Sequence, residues 1–221
     1  MALEAVELQT GEDPGWTVLW LHGLGADGHD FEPIVPELVA PDWPALRFVF
    51  PHAPVRAVTI NGGARMRAWY DIREADLSNR ADGLGVAQSV LQVEELIARE
   101  RERGVPASRL FLAGFSQGGA VTLATALQRR TPLAGLVALS TYLPEITQAA
   151  GRLEPGAERQ PLFMAHGTHD PVVPVAAGQV SADALRKLGF TVDWHAYPMQ
   201  HQVSAQEIAD LRQWLGARLR G

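Results

Sequence analysis

The apolar positions change their period several times along the chain, and each change marks an element. The run TVLWLH at residues 17–22 and the run RFVF at 47–50 are short and almost wholly apolar. So are LAGLVALS at 133–140 and PLFMAHG at 161–167. Runs of this kind predict strands buried on both faces, as in a parallel sheet covered by helices. RLFLAGF, with its strand over 110–113, belongs to the same class, whereas TVDWHAY at 191–197 alternates and predicts a strand near an edge.

Between these runs the spacing becomes helical. Val86, Val90, Val93 and Ile97 follow in steps of three and four, which predicts an amphipathic helix over 81–103. Its second half, EELIARERER, predicts a charged outer face in water, with Glu95 and Arg99 in the favourable four-residue order. Residues 117–130 predict a second helix, and 176–188 a third, ended by Gly189. Ser204 with Glu207 three places on predicts a capping box for a last helix running to about Leu219. The stretch 143–160 is broken by Pro and Gly and reads as a loop holding at most a short helix. The β-α-β-α order predicts an α/β fold: one doubly wound, mostly parallel sheet flanked by helices. No repeat or composition shift divides it, so residues 1–221 are expected to form a single domain.

Composition narrows the function classes. The chain has no cysteine, which removes disulfides, thiolate metal sites and a cysteine nucleophile. A formal net charge of −6 with no basic stripe argues against a nucleic-acid partner. The acidic N-terminal segment MALEAVELQTGEDPG lacks the apolar core of a secretion signal, and no apolar run approaches bilayer length. A cytoplasmic protein without stable membrane insertion is the expectation.

Gly114-Phe115-Ser116-Gln117-Gly118 spells G-x-S-x-G between a predicted strand and a predicted helix. That setting is the nucleophile elbow, in which a serine is held at the tip of a tight turn with no room for side chains two residues either side. A serine hydroxyl needs a base, and the base needs an orienting acid. In this arrangement the chain order is Ser, then acid, then His. Asp170, in the loop after the 161–167 strand, is the candidate acid; Asp193 lies inside a strand pattern and Asp183 inside a helix. His201, in the loop before the last helix, is the candidate base; its competitor His195 falls within a strand. His166, His169 and Asp170 could also suggest a metal cluster, but a zinc hydrolase needs further ligands and no metal or other cofactor is expected.

Gly23-Leu24-Gly25-Ala26-Asp27-Gly28 matches the dinucleotide fingerprint G-x-G-x-x-G. The fingerprint calls for an acid at the end of the second strand, and FVFPHAP has none; Pro33 and Pro36 also interrupt the helix that should follow. The loop suits an oxyanion hole instead. Backbone N–H groups of Leu24 and of Gln117, the residue after the serine, are the candidate donors. Met66, Trp69 and Tyr70, close together in VTINGGARMRAWYDI, are candidate walls of a substrate groove.

Taken together, LWLHGLGADG, FVFPHAP, VTINGGARMRAWYDI, LAGFSQGGAVTLATAL, MAHGTHDPVVP and YPMQHQV resemble the phospholipase/carboxylesterase family of α/β-hydrolases, which includes bacterial carboxylesterases and acyl-protein thioesterases. The resemblance spans nearly the whole chain. It implies a lidless α/β-hydrolase fold, a Ser116-Asp170-His201 triad, Leu24 and Gln117 as oxyanion donors, no cofactor, and a monomer or homodimer. It also implies a carboxylesterase acting on small ester or thioester substrates, with thioesterase or lysophospholipase activity as the alternatives. Two positions depart from the family's habit: Arg67 where proline is common, and Gln200 where glycine is common. The contrasting reading is a non-catalytic binding protein on the same fold, since fold alone does not fix function.

Overall fold

A computed structural model describes residues 3–74 and 82–220. In a seven-stranded sheet six strands pair in parallel, the apolar runs β2 (Trp16–Leu21), β3 (Leu46–Pro51), β6 (Leu110–Phe115), β7 (Gly135–Leu139) and β8 (Leu162–Gly167) together with β9 (Val192–Tyr197). The spatial order is β1-β3-β2-β6-β7-β8-β9, where β1 (Ala5–Gln9) joins β3 antiparallel at one edge. β9 forms the other edge, which explains its alternating pattern: it shares a ladder on one side only.

Neighbouring residues on each strand enter opposite cores, as the pleat requires. Leu19 and Leu21 of β2 and Leu110 and Leu112 of β6 pack with α2 (Gly83–Glu102), α3 (Gln117–Leu127) and α5 (Val175–Lys187). Val18, Trp20, Phe111 and Ala113 face the other way, toward α1 (Val35–Leu38) and α6 (Ala205–Leu219). Helices on both faces of a mostly parallel sheet make this a doubly wound α/β fold. A short helix, α4 (Ala149–Arg152), lies within the long connection before β8. The expected start of α2 at Ala81 lies outside the described residues; the helix is described from Gly83.

Three features depart from the sequence expectation. β1 carries too short and too mixed a pattern to stand out, and it exists because the free edge of β3 can accept it. The hairpin of β4 (Val55–Val58) and β5 (Ala64–Arg67) is turned by the left-handed Gly62 and Gly63 and forms a separate two-stranded sheet. The third is a correction. The charged end of α2 is not all solvated: Glu100 is fully buried. Its carboxylate accepts from Thr17 Oγ1 at 2.8 Å, Arg47 Nη1 at 2.9 Å and Arg103 Nη1 at 3.0 Å. A buried carboxylate is tolerable only when paired and hydrogen-bonded in this way. A partner 83 positions away leaves no trace in local periodicity.

The chain leaves β2 toward β3 on one side of the sheet and leaves β6 toward β7 on the other. A crevice therefore opens at the C-terminal ends of β2 and β6, the position where open α/β sheets bind ligands.

Candidate active site

Ser116 stands in that crevice, between the last residue of β6 and the first of α3. Its backbone has φ 54° and ψ −118°, a conformation side chains rarely adopt. The turn holds because nothing near it has bulk. A Cβ added at Gly114 would lie 2.4 Å from the Gly118 carbonyl carbon, and one at Gly118 would lie 2.3 Å from Leu21 O. The Ser116 N–H is tied to Leu139 O at 2.8 Å, and its carbonyl accepts from Thr141 Oγ1 at 2.7 Å. Although Ser116 precedes the helix, its side chain caps nothing. The hydroxyl is turned instead to His201, with Oγ 2.9 Å from Nε2.

His201 lies in the loop between β9 and α6, its ring beside Phe115 at 4.8 Å between centroids. Its Nδ1 is 2.7 Å from Asp170 Oδ2. Asp170 Oδ1 accepts the N–H groups of Val172 at 2.8 Å and Val173 at 2.9 Å, so the carboxylate is held at both oxygens. The three residues drawn together from distant parts of the chain thus form a continuous line from hydroxyl to imidazole to carboxylate. The competitors go elsewhere. Asp193 and His195 face one another on β9, 3.0 Å apart, with the His195 ring stacked on Phe163. Asp183 is exposed on α5 and pairs with Arg186, and His169 is exposed in its turn.

The turn after β2 closes the other wall. A Cβ on Gly23 would lie 3.5 Å from Ser116 Cβ, so this loop passes directly beside the hydroxyl-bearing residue. Neither the Leu24 nor the Gln117 amide donates to a protein acceptor among the described residues. Gln117 opens α3, where the helix dipole and free N–H groups favour an anion. The loop is fixed from behind by a buried histidine. His22 Nε2 accepts from the Ala53 N–H at 3.0 Å, which leaves the proton on Nδ1, 2.7 Å from Gly23 O. Burial pushes the His22 pKa below its usual value, in keeping with this neutral form.

The expected substrate walls need one correction. Trp69 and Tyr70 are fully buried and present no surface to a ligand; Trp69 carries the contacts that matter for the site. It acts behind the site. Its Nε1–H donates to His22 O at 2.9 Å, and its N–H donates to Gln117 Oε1 at 2.8 Å. Gln117 Nε2 then donates to Tyr70 O at 2.8 Å, and the Gly25 N–H donates to Arg67 O at 2.9 Å. Residues 67–70 therefore strap the β2 turn to the serine turn and set the distance between the two free amides. Met66 fits the expectation better: it is half-buried, and its sulfur would lie 3.7 Å from a Cβ on Gly25. Arg67 directs its guanidinium to Ala53 O at 2.9 Å, which makes it a second brace of the same segment.

An apolar cavity of about 360 Å³ was not legible in the sequence. Tyr142, Leu143 and Ile146 line one side, and Pro174, Ala177 and Val180 the other. Tyr142 follows Thr141, which holds Ser116 O, and Pro174 follows Val173, which holds Asp170. The cavity thus adjoins both loops of the site. Its walls come from two segments far apart in the chain, and no local pattern links them.

The helix that follows the His201 loop carries a titratable group in its cap. Ser204 Oγ accepts from the Glu207 N–H at 3.2 Å, and Glu207 Oε2 accepts from the Ser204 N–H at 3.3 Å. Glu207 is fully buried, and burial pushes its carboxyl up to about 8. The folded chain therefore keeps a proton that the unfolded chain has already released above the ordinary glutamate range. Stability from this group is full at low pH and declines as the pH rises toward 8. Glu207→Gln keeps the cap and removes the ionisation. It is expected to raise unfolding free energy at pH 8.5 by on the order of 2 kcal/mol, and to change little at pH 5. Urea melts at the two pH values test this; a loss at both would contradict it.

Comparison with known proteins finds relatives over nearly the whole chain. The family model described as phospholipase/carboxylesterase matches residues 4–219. Acyl-protein thioesterase 1 of Cryptococcus neoformans is 36% identical over 231 residues, covering 97% of either chain. Carboxylesterase SOBER1 of Arabidopsis thaliana is 34% identical over 207 residues, covering 92% of this chain and 91% of the relative. The crystal structure of SOBER1 superposes with a TM-score of 0.86 at 33% identity, covering 92% of this chain and 99% of that one.

Proposed function

The chain belongs to the phospholipase/carboxylesterase family and is a serine hydrolase, and from that premise we propose that it cleaves carboxylic esters of short to medium acyl chains through an acyl-enzyme on Ser116. The observation that carries this reading is the Ser116 Oγ to His201 Nε2 distance of 2.9 Å, continued to Asp170 at 2.7 Å. His201 takes the Ser116 proton as Oγ attacks the acyl carbon. The negative charge that develops on the carbonyl oxygen rests on the Leu24 and Gln117 amides. Collapse breaks the bond to the leaving oxygen or sulfur, which takes the proton from His201. Water, giving its proton to His201, then attacks the acyl-enzyme and frees the acid and Ser116. The acyl chain lies in the apolar cavity beside Tyr142 and Val180, and Met66 borders the entrance near Leu24.

The names of the relatives favour a second reading at the same centre, thioester hydrolysis on acylated proteins, because oxygen and sulfur leaving groups share the acylation step. A panel of esters from acetyl to decanoyl, run beside one thioester, separates the two. Ala177→Trp fills the cavity, and each buried methylene contributes about 0.8 kcal/mol. The variant is expected to lower kcat/KM for octanoyl esters at least about tenfold and to leave acetyl esters near wild type. An equal loss across the panel would place the acyl chain elsewhere.

A further inference from the structure

His166 takes no part in the reaction just described, yet it lies beneath the acid. It is 1% exposed, at the end of β8. Its Nε2 is 2.8 Å from Val173 O and 3.4 Å from Asp170 Oδ2, the oxygen that faces His201. Its Nδ1 is buried with no hydrogen-bond partner among the described residues. A carbonyl acceptor requires the proton on Nε2, and a second proton on Nδ1 would be a buried donor with nothing to receive it. The ring is therefore neutral, and burial accordingly pushes its pKa below the usual histidine value. The groups packed around it leave it no alternative position. From α5, a Cβ on Gly178 would come 2.4 Å from Nδ1, and from β9 the Trp194 ring is tilted against it at 6.2 Å. The titratable groups that face it are Asp170, on its own turn, and His201, from the loop before α6.

We infer that His166 is a positioning residue for the acid–base pair: its Nε2–H donates to Val173 O and so fixes the turn at 170–173, whose amides hold Asp170 Oδ1 and leave Oδ2 aimed at His201. Val173 is engaged twice: its N–H goes to Asp170 Oδ1, and its carbonyl receives His166. Val173 is thus fixed through its carbonyl while its N–H holds the acid. A buried filler of the same size would account for the packing but not for an N–H directed at the carbonyl that closes the turn. The inference rests on the reading of Asp170 as the acid that orients His201.

The test compares His166→Phe, which keeps the ring and removes the N–H, with His166→Gln, whose amide can place a donor near the position of Nε2. A buried acceptor left without its donor costs about tenfold to a hundredfold. His166→Phe is expected to lower kcat by that factor with KM within about twofold. The acid limb of kcat/KM is expected to move to higher pH, because the Val173 N–H then holds the Asp170 carboxylate less firmly and the carboxylate attracts a proton on the neighbouring ring more strongly. His166→Gln is expected to recover most of the loss. An acid limb that is unmoved or moved lower, or Gln no better than Phe in variants with native melting temperatures, overturns the inference. Nitrogen-15 NMR of the unmutated protein gives a reading that needs no variant to fold. His166 is expected to stay neutral with its proton on Nε2 through the pH range in which the enzyme is active; a proton on Nδ1, or a second proton on the ring within that range, overturns it. Asp170→Asn measured alongside separates the two levels. If it retains activity, the acid assignment itself fails; if it is inactive while His166→Phe is normal, only the bracing role fails.

Discussion

Ser116→Ala is expected to lower turnover of a carboxylic ester by about a million-fold, with the melting temperature close to that of the unaltered protein. The hydroxyl is the only part of the side chain removed, and it caps no helix N–H. Its partner in the structure is His201 Nε2, at 2.9 Å. Nothing in the fold depends on that contact, because the turn is held by backbone bonds to Leu139 and Thr141 and by the missing bulk at Gly114 and Gly118. Alanine at φ 54° carries the same backbone strain as serine, so the change isolates chemistry from stability. The free amides of Leu24 and Gln117 remain, and they can still polarise a carbonyl for attack by water; the residue of activity measures them. Steady-state assays on protein of verified mass check this. A loss smaller than a hundredfold would mean that the nucleophile is elsewhere.

Asp170→Asn is expected to cost about ten-thousandfold in kcat with little change in substrate binding. The reason lies in how its oxygens are used. One accepts two backbone N–H groups, from Val172 and Val173. An asparagine at this position keeps its oxygen on those donors and must turn its NH₂ toward His201 Nδ1. Two donors cannot face each other, so the imidazole gives up the proton at Nδ1 and carries it on Nε2. A ring protonated at Nε2 cannot accept the Ser116 proton. The loss therefore reflects the wrong tautomer in an intact site. A variant with near-native rates would show that the carboxylate does not orient the base.

The α/β-hydrolase fold was legible because its parallel strands are buried on both faces and their side chains need no polar alternation. The strands of TVLWLH, RLFLAGF and PLFMAHG fall where the apolar runs place them, and the capping box at Ser204 and Glu207 forms as its spacing predicts. The line from Ser116 to His201 to Asp170 was legible for a related reason: each sits just past the C-terminal end of a parallel strand, and parallel strands deliver those ends to one rim of the sheet. What local pattern could not carry is contact across the chain. Glu100 looks like one more charge on a solvated helix until Thr17 and Arg47 are brought against it. Trp69 looks like a groove wall until burial turns its indole N–H to His22 O. The cavity between Tyr142 and Val180 exists only once α5 has packed beside the turn after β7.

The proposed chemistry comes down to one covalent bond formed at one oxygen. A fluorophosphonate probe, which captures a hydroxyl activated by a neighbouring base, tests it most directly when labelling is followed by intact mass and peptide mapping. One adduct per chain, on the peptide that carries Ser116, with activity falling in proportion to labelling, is the predicted result. Full labelling at another residue, or an active enzyme that takes up no probe, would contradict it.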